Sequence, residues 1–217
     1  MSNNTVYPCR FNVPSSSSER LVVWEITNNC NLNCFHCCNN SGLNAGVNDE
    51  VSMETSIKVT HEFKDLNVTE VYFSGGEPLT RPDFLKILAS IDPMLTKIYL
   101  ASNGTTITEK VAEGLSKFNI SGISISLDGH TAEMHSLVRG DLSCFDKTVE
   151  GIRLCVRKNL PFRVTSVITN DNANFIRDFL DLLLEIGVPS VVFQAIQGDS
   201  GRAAKHGNFV LDDTKKS

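Results

Sequence analysis

Three cysteines stand close together in Cys30-Asn-Leu-Asn-Cys34-Phe-His-Cys37, a C-x-x-x-C-x-x-C spacing. Thiolates are ligands for soft metal centres, zinc and iron–sulfur clusters above all. Zinc sites built from cysteine space them as C-x-x-C pairs, and the bacterial ferredoxin run carries four. Three thiols with the wider gap first match neither. On a [4Fe-4S] cube they would leave one iron without a protein ligand, open to a substrate. A buried or zinc-binding role is the alternative for the same residues.

Further along, Ser74-Gly75-Gly76-Glu77-Pro78 places two glycines beside a carboxylate. A backbone that must hug a ligand cannot carry a Cβ, and positive φ costs glycine little. Ser102-Asn103-Gly104 and Ser126-Leu127-Asp128-Gly129 add hydroxyl, amide and carboxylate groups, although Asn-Gly and Asp-Gly are also good turn formers.

The elements that must position these groups alternate between two periods. Apolar runs predict strands at Leu21–Ile26, Glu70–Phe73, Lys97–Ala101, Gly122–Leu127, Phe162–Ile168 and Ser190–Gln194. Helices are predicted near Met53–Leu66, Pro82–Ile91, Thr108–Phe118, Phe145–Lys158 and Ala173–Ile186. In the fourth, Phe145, Val149, Ile152 and Val156 share a face; in the fifth, Ile176, Phe179, Leu183 and Ile186 do so. Pro82 suits the first turn of the second helix, and Gly187-Val-Pro189 stops the fifth. Strand–helix alternation gives an α/β protein with parallel strands. Each motif above follows a strand, and in such barrels active sites form at the strands' C-terminal ends. Alternation in the fifth strand puts Val164, Ser166 and Ile168 on one face, read as the barrel interior.

The four motifs in this order, over about Arg20 to Ala203, resemble the radical S-adenosylmethionine (radical SAM) superfamily. That resemblance implies a partial (β/α)6 TIM-like barrel with parallel strands and outer helices, and two cofactors, a [4Fe-4S] cluster and S-adenosyl-L-methionine. It makes Cys30, Cys34 and Cys37 the cluster ligands. It puts Gly75 and Gly76 against the cofactor and Glu77 at the methionyl ammonium. Ser102, Asn103, Ser126 and Asp128 fall in the shell around the methionyl and ribose groups. Arg139 resembles an arginine that pairs with the cofactor carboxylate, a simple exposed arginine being the alternative. His36 stands where the family places an aromatic ring against the adenine, and Gln194 and Ile196 fall on the adenine side. Cys38 is an extra thiol or a small apolar residue. Cys144 and Cys155 read as structural, Cys9 as a free thiol. His61, His130, His135 and His206 show no ligand spacing.

The stretch Ser126 to Gly140, with Gly201-Arg202-Ala203, resembles the core of the SPASM-type branch of peptide maturases. That branch includes the pyrroloquinoline quinone and sulfatase maturases; haem- and molybdopterin-pathway enzymes share much of the pattern. The expectation is hydrogen abstraction from a peptide, or alternatively from a small cofactor precursor. Electrons would come from a reducing flavodoxin or ferredoxin. A third reading is an iron–sulfur binding module that acts only with a partner.

The 217 residues suit one domain with a substantial core. A formal charge of -5 offers no general attraction for nucleic acid or an anionic membrane. Residues 1–19, rich in Ser and Asn, read as a flexible lead without a signal-peptide core. No stretch reaches membrane-span length, so the expected location is cytoplasmic, and seven cysteines, three clustered, read as metal binding rather than disulfides. Residues 20–203 form the expected core. Residues 204–217 are a tail or the start of a truncated sixth helix near Leu211, with no cysteine after Cys155 for further clusters.

Overall fold

The computed structural model describes residues 19–196 and 201–202. Cys9, His206, most of the lead, residues 198–200 and 203 of the last loop and the further helix expected near Leu211 lie outside the described residues. Six strands run in chain order: β1 (Arg20–Thr27), β2 (Val68–Gly75), β3 (Lys97–Ser102), β4 (Ile120–Ser126), β5 (Phe162–Ile168) and β6 (Val191–Ala195). Among the described residues each pairs only with its sequence neighbours, always parallel, and no pairing joins β1 to β6. Its crossovers carry α1 (Met53–Asp65), α2 (Phe84–Leu88), α3 (Glu109–Leu115), α4 (Ala132–Arg139), α5 (Cys144–Arg157) and α6 (Ile176–Glu185). This is the expected partial barrel. Among the described residues no helix is long and apolar enough to cross a membrane.

The core lies between the sheet's outer face and the helices. Phe73, Ile98, Ile123, Ile125 and Val164 are fully buried there with Phe84, Ile87, Leu115 and Ile152. Trp24 on β1 stands 5.7 Å from Phe73, which meets Phe84 edge-on at 5.3 Å. The inner face is different. Ser74, Ala101, Gly122, Ser124, Ser126 and Thr165 point inward, and these small or polar groups cannot fill the interior as layers of branched residues do in a closed barrel. A cavity of about 930 Å³ results.

Several local expectations shift. Pro82 lies in the turn before α2, whose N-cap is Asp83. On α5 Val149 and Ile152 are buried and Phe145 packs against the core as expected, but the buried stripe also takes in Cys144, Thr148 and Cys155, while Val156 is exposed. Val164, Ser166 and Ile168 face away from the cavity, which is lined by Arg163, Thr165 and Val167 instead. Helix α4, eight residues long, is not among the predicted helices. Its ends are nevertheless marked in sequence: Thr131 accepts a bond from the Met134 amide, and Gly140 closes the helix at φ 78°.

Candidate active site

The cysteine loop begins where β1 ends. Arg81, buried beside α2, fixes that end by donating from Nη1 to the Ile26 carbonyl at 2.9 Å, while its Nε pairs with Asp83 at 2.7 Å. Cys30 then donates its amide to Gly42, and Phe35 donates to Val138 on α4, so the loop is stitched on both sides. Cys30, Leu32, Cys34 and Cys144 form a small buried cluster with Cys37 packed against it.

The Gly75-Gly76 turn meets this loop backbone to backbone. The Gly76 amide donates to Thr27 at 2.7 Å and the Glu77 amide to Asn29 at 2.8 Å. A Cβ on Gly75, whose φ is +122°, would fall 2.2 Å from the Thr27 carbonyl oxygen; one on Gly76 would fall 2.1 Å from that of Asn29. The sequence reading reserved both glycines for ligand approach. The structure gives them a second reason, the flush fit against the root of the cysteine loop.

Glu77 stands behind the cavity wall and does not line it. Its carboxylate accepts from Ser102 Oγ at 3.0 Å, the Asn103 amide at 2.6 Å and the Leu79 amide at 3.2 Å. These bonds tie the β2 turn to the β3 turn. Burial pushes its carboxyl up to about 7 against those donors. Asn103 completes the tie: Nδ2 donates to Asn31 at 2.9 Å and stands 3.9 Å from Cys30 Sγ.

Asp128 is also behind the wall. It pairs with Arg139 Nε at 2.5 Å and accepts the Val167 amide at 2.7 Å. Burial works against its charge, but Arg139, the neighbouring His135 and His36 rings and the Val167 amide together outweigh that and hold the carboxyl below its usual range. Arg139 is buried, not exposed: it is committed to Asp128 through Nε, and its Nη1 lies 3.8 Å from Cys34 Sγ. His135 accepts the Asp128 amide at Nδ1, a structural role.

Cys30, Cys34, His36, Cys37, Gly75, Gly76, Ser102, Asn103, Ser126, Arg139 and Gln194 line the same cavity, and Ile196 and Cys38 join them. Burial pushes the His36 ring down to about 4, so it is a neutral flat ring at that wall. Cys144 and Cys155 are buried. Sequence reasoning gave Arg202 no part in the site. Its Nε donates to the Cys34 carbonyl at 2.8 Å and its Nη2 to Ser41 at 2.7 Å, a clamp across the cysteine loop. Only its place in Gly201-Arg202-Ala203 hinted at this.

The family profile of the radical SAM superfamily matches residues 24–192. The chain belongs to the radical SAM superfamily. Among its relatives, an AdoMet-dependent heme synthase of Methanosarcina barkeri is 32% identical over 175 residues, 81% of this chain and 50% of that protein. The mycofactocin maturase MftC of Mycobacterium tuberculosis is 32% identical over 167 residues, 76% of this chain and 42% of that one. In structure, SuiB of Streptococcus suis bound to S-adenosylmethionine superposes with a TM-score of 0.72 at 18% identity, over 89% of this chain and 43% of that chain. This radical SAM chain thus spans about half the length of the curated relatives it matches.

The cofactors of the radical SAM family are a [4Fe-4S] cluster and S-adenosylmethionine, and the site fits both. The three thiols share one cavity, and N–H donors of Leu32, Asn103 and Arg139 approach the sulfurs of Cys30 and Cys34, the contacts that tune metal thiolates. Among the described residues no three His, Cys, Asp or Glu side chains gather around a single metal ion. Ligands of a cube each take a separate iron and need not converge so closely. Burial pushes the Cys30 thiol up to about 11 and raises that of Cys34, so loading iron must expel thiol protons.

Proposed function

We propose that this chain uses the cluster to cleave S-adenosylmethionine reductively to methionine and a 5′-deoxyadenosyl radical, which abstracts hydrogen from a peptide. One observation carries the reading. The three thiols, the Gly75-Gly76 turn, Asn103 and Gln194 line the strand-end half of a cavity that continues, open, to the strand starts at Ser121, Pro161 and Ser190. One continuous space thus has room for cofactors and a substrate, with the groups proposed to hold cofactors at one end. The peptide substrate draws support from the likeness to MftC and to peptide-bound SuiB.

When bound, the cluster supplies the electron and S-adenosylmethionine the radical. The protein's own part is holding and shielding. Cys30, Cys34 and Cys37 hold the cluster. Arg202 and Arg139 fix the loop that carries them, and Glu77 locks the β2 and β3 turns into one wall. We assign the electron supply to a reducing flavodoxin or ferredoxin, and the working place to the cytoplasm.

A second reading, a small tetrapyrrole precursor as substrate, is favoured by the likeness to heme synthases and by the flat Tyr72–Tyr99 stack inside the cavity. The test is anaerobic reconstitution with iron and sulfide, then dithionite and S-adenosylmethionine, with 5′-deoxyadenosine measured by mass spectrometry beside Cys34→Ala. Deoxyadenosine from the wild type alone is expected. A loaded cluster with no cleavage would refute the activity and favour a partner-dependent module.

A further inference from the structure

Three arginines line the cavity, Arg139, Arg163 and Arg202, while among the described residues no aspartate or glutamate does. Away from the three thiols, such a space favours an anionic occupant. Arg139 is committed to Asp128, and Arg202 to two backbone carbonyls. Arg163 differs. Near the start of β5, it makes one long bond among the described residues, from Nε to Ser124 Oγ at 3.5 Å, and no ion pair. Glu70, the acid beside the tyrosines, is taken by Lys97 at 3.3 Å. Among the described residues, then, no acid pairs with the Arg163 guanidinium, which is exposed at the strand-start end of the cavity.

Its surroundings suit a ligand. Ser124 lies beside it in register, and the Ser124 and Thr165 hydroxyls share a bond of 2.5 Å. On the same wall Tyr72 and Tyr99 stack with ring centres 4.3 Å apart and planes 6° from parallel. Ser126, at the cofactor end, is two residues above Ser124 on β4, a rise of about 7 Å.

We propose that Arg163 binds a carboxylate of the substrate, whose adjoining body rests against the Tyr72–Tyr99 pair; this deepens, and rests on, the function proposed above. The planar guanidinium fork matches a carboxylate in two parallel bonds. Anchored there, a substrate reaches the cofactor end with its next few atoms. The carboxylate belongs to an acidic peptide side chain or to a tetrapyrrole propionate.

Wild type, Arg163→Gln and Arg163→Lys, each reconstituted, would be titrated calorimetrically with two probe pairs. One pair is an end-blocked pentapeptide with a single aspartate and its asparagine twin. The other is coproporphyrin III and its tetramethyl ester. In one pair the acid is expected to bind wild type about tenfold tighter than its uncharged twin. That preference should vanish in Arg163→Gln and survive in part in Arg163→Lys, and the responding pair names the source of the carboxylate. Equal binding of acid and twin in both pairs, an undiminished preference in Arg163→Gln, or no binding by any probe would overturn the proposal. Melting curves identify a misfolded variant, in which case Arg163→Lys decides. The titration needs no turnover. A chain that shows the preference yet forms no deoxyadenosine would refute the activity and not the carboxylate site.

Discussion

Gly76→Ala separates two reasons for a glycine. A Cβ at this position would stand 2.1 Å from the Asn29 carbonyl oxygen, 2.7 Å from its carbon and 2.9 Å from the Asn28 oxygen, where ordinary contact begins near 3.4 Å. All three atoms are backbone, so no side chain can swing aside. The seam must open by more than an ångström. The bonds that close it, Gly76 to Thr27 at 2.7 Å and Glu77 to Asn29 at 2.8 Å, would then stretch beyond hydrogen-bonding range. Two such bonds contribute about 1 kcal/mol each, and a donor left buried without a partner costs about 1–3 kcal/mol. The expected loss is about 2–4 kcal/mol, read from urea unfolding of the metal-free protein. The displaced turn also unseats the root of the loop that carries Cys30, so iron and sulfide content after reconstitution should fall as well. If the glycine served ligand approach alone, the metal-free variant would unfold like wild type and only cofactor binding would weaken. That result would refute the seam argument.

Other expectations rest on the buried charges. Asp128→Asn leaves Arg139 buried without its counter-ion, at a cost of about 3–5 kcal/mol, and should lower the melting temperature by about 10 °C for a domain of this size; an unchanged melt would show that the pair is dispensable. Glu77 sets a pH dependence. Its folded carboxyl, pushed up to about 7 from an ordinary 4.5, holds a proton that the unfolded chain releases. The folded state therefore binds more protons between those values, and this group's contribution is greatest below 4.5 and lost as pH rises through 7. Measured against Glu77→Gln, wild-type stability should drop by about 3 kcal/mol from pH 4.5 to pH 8; a flat difference in urea midpoints would contradict the burial argument.

Much of the site was legible because its chemistry is local. Ligand spacing within eight residues survives any error in strand boundaries, and a motif at the end of each predicted strand needs only parallel connections to converge. The hollow interior went unread, although in Gly122-Ile-Ser124-Ile-Ser126 the period of two puts small groups on one face and isoleucines on the other. The face assigned to β5 failed on the same rule. A period of two does not say which of its two faces is inner, and neighbouring strands decide that.

What the sequence determined by itself, then, was composition of the wall: thiols, small residues and a strand order that brings them to one end. Direction and partnership came only from the tertiary structure. Glu77 and Asp128 sit in motifs that suggest a ligand, yet both carboxylates are turned into the protein. Glu77 meets donors 25 and 26 residues away in sequence, and Asp128 meets the Val167 amide 39 residues away. Arg202 reaches the Cys34 carbonyl across 168 residues. A buried charge must find a partner or lose its charge, and which partner lies within reach is settled by how the sheet and its loops pack around it.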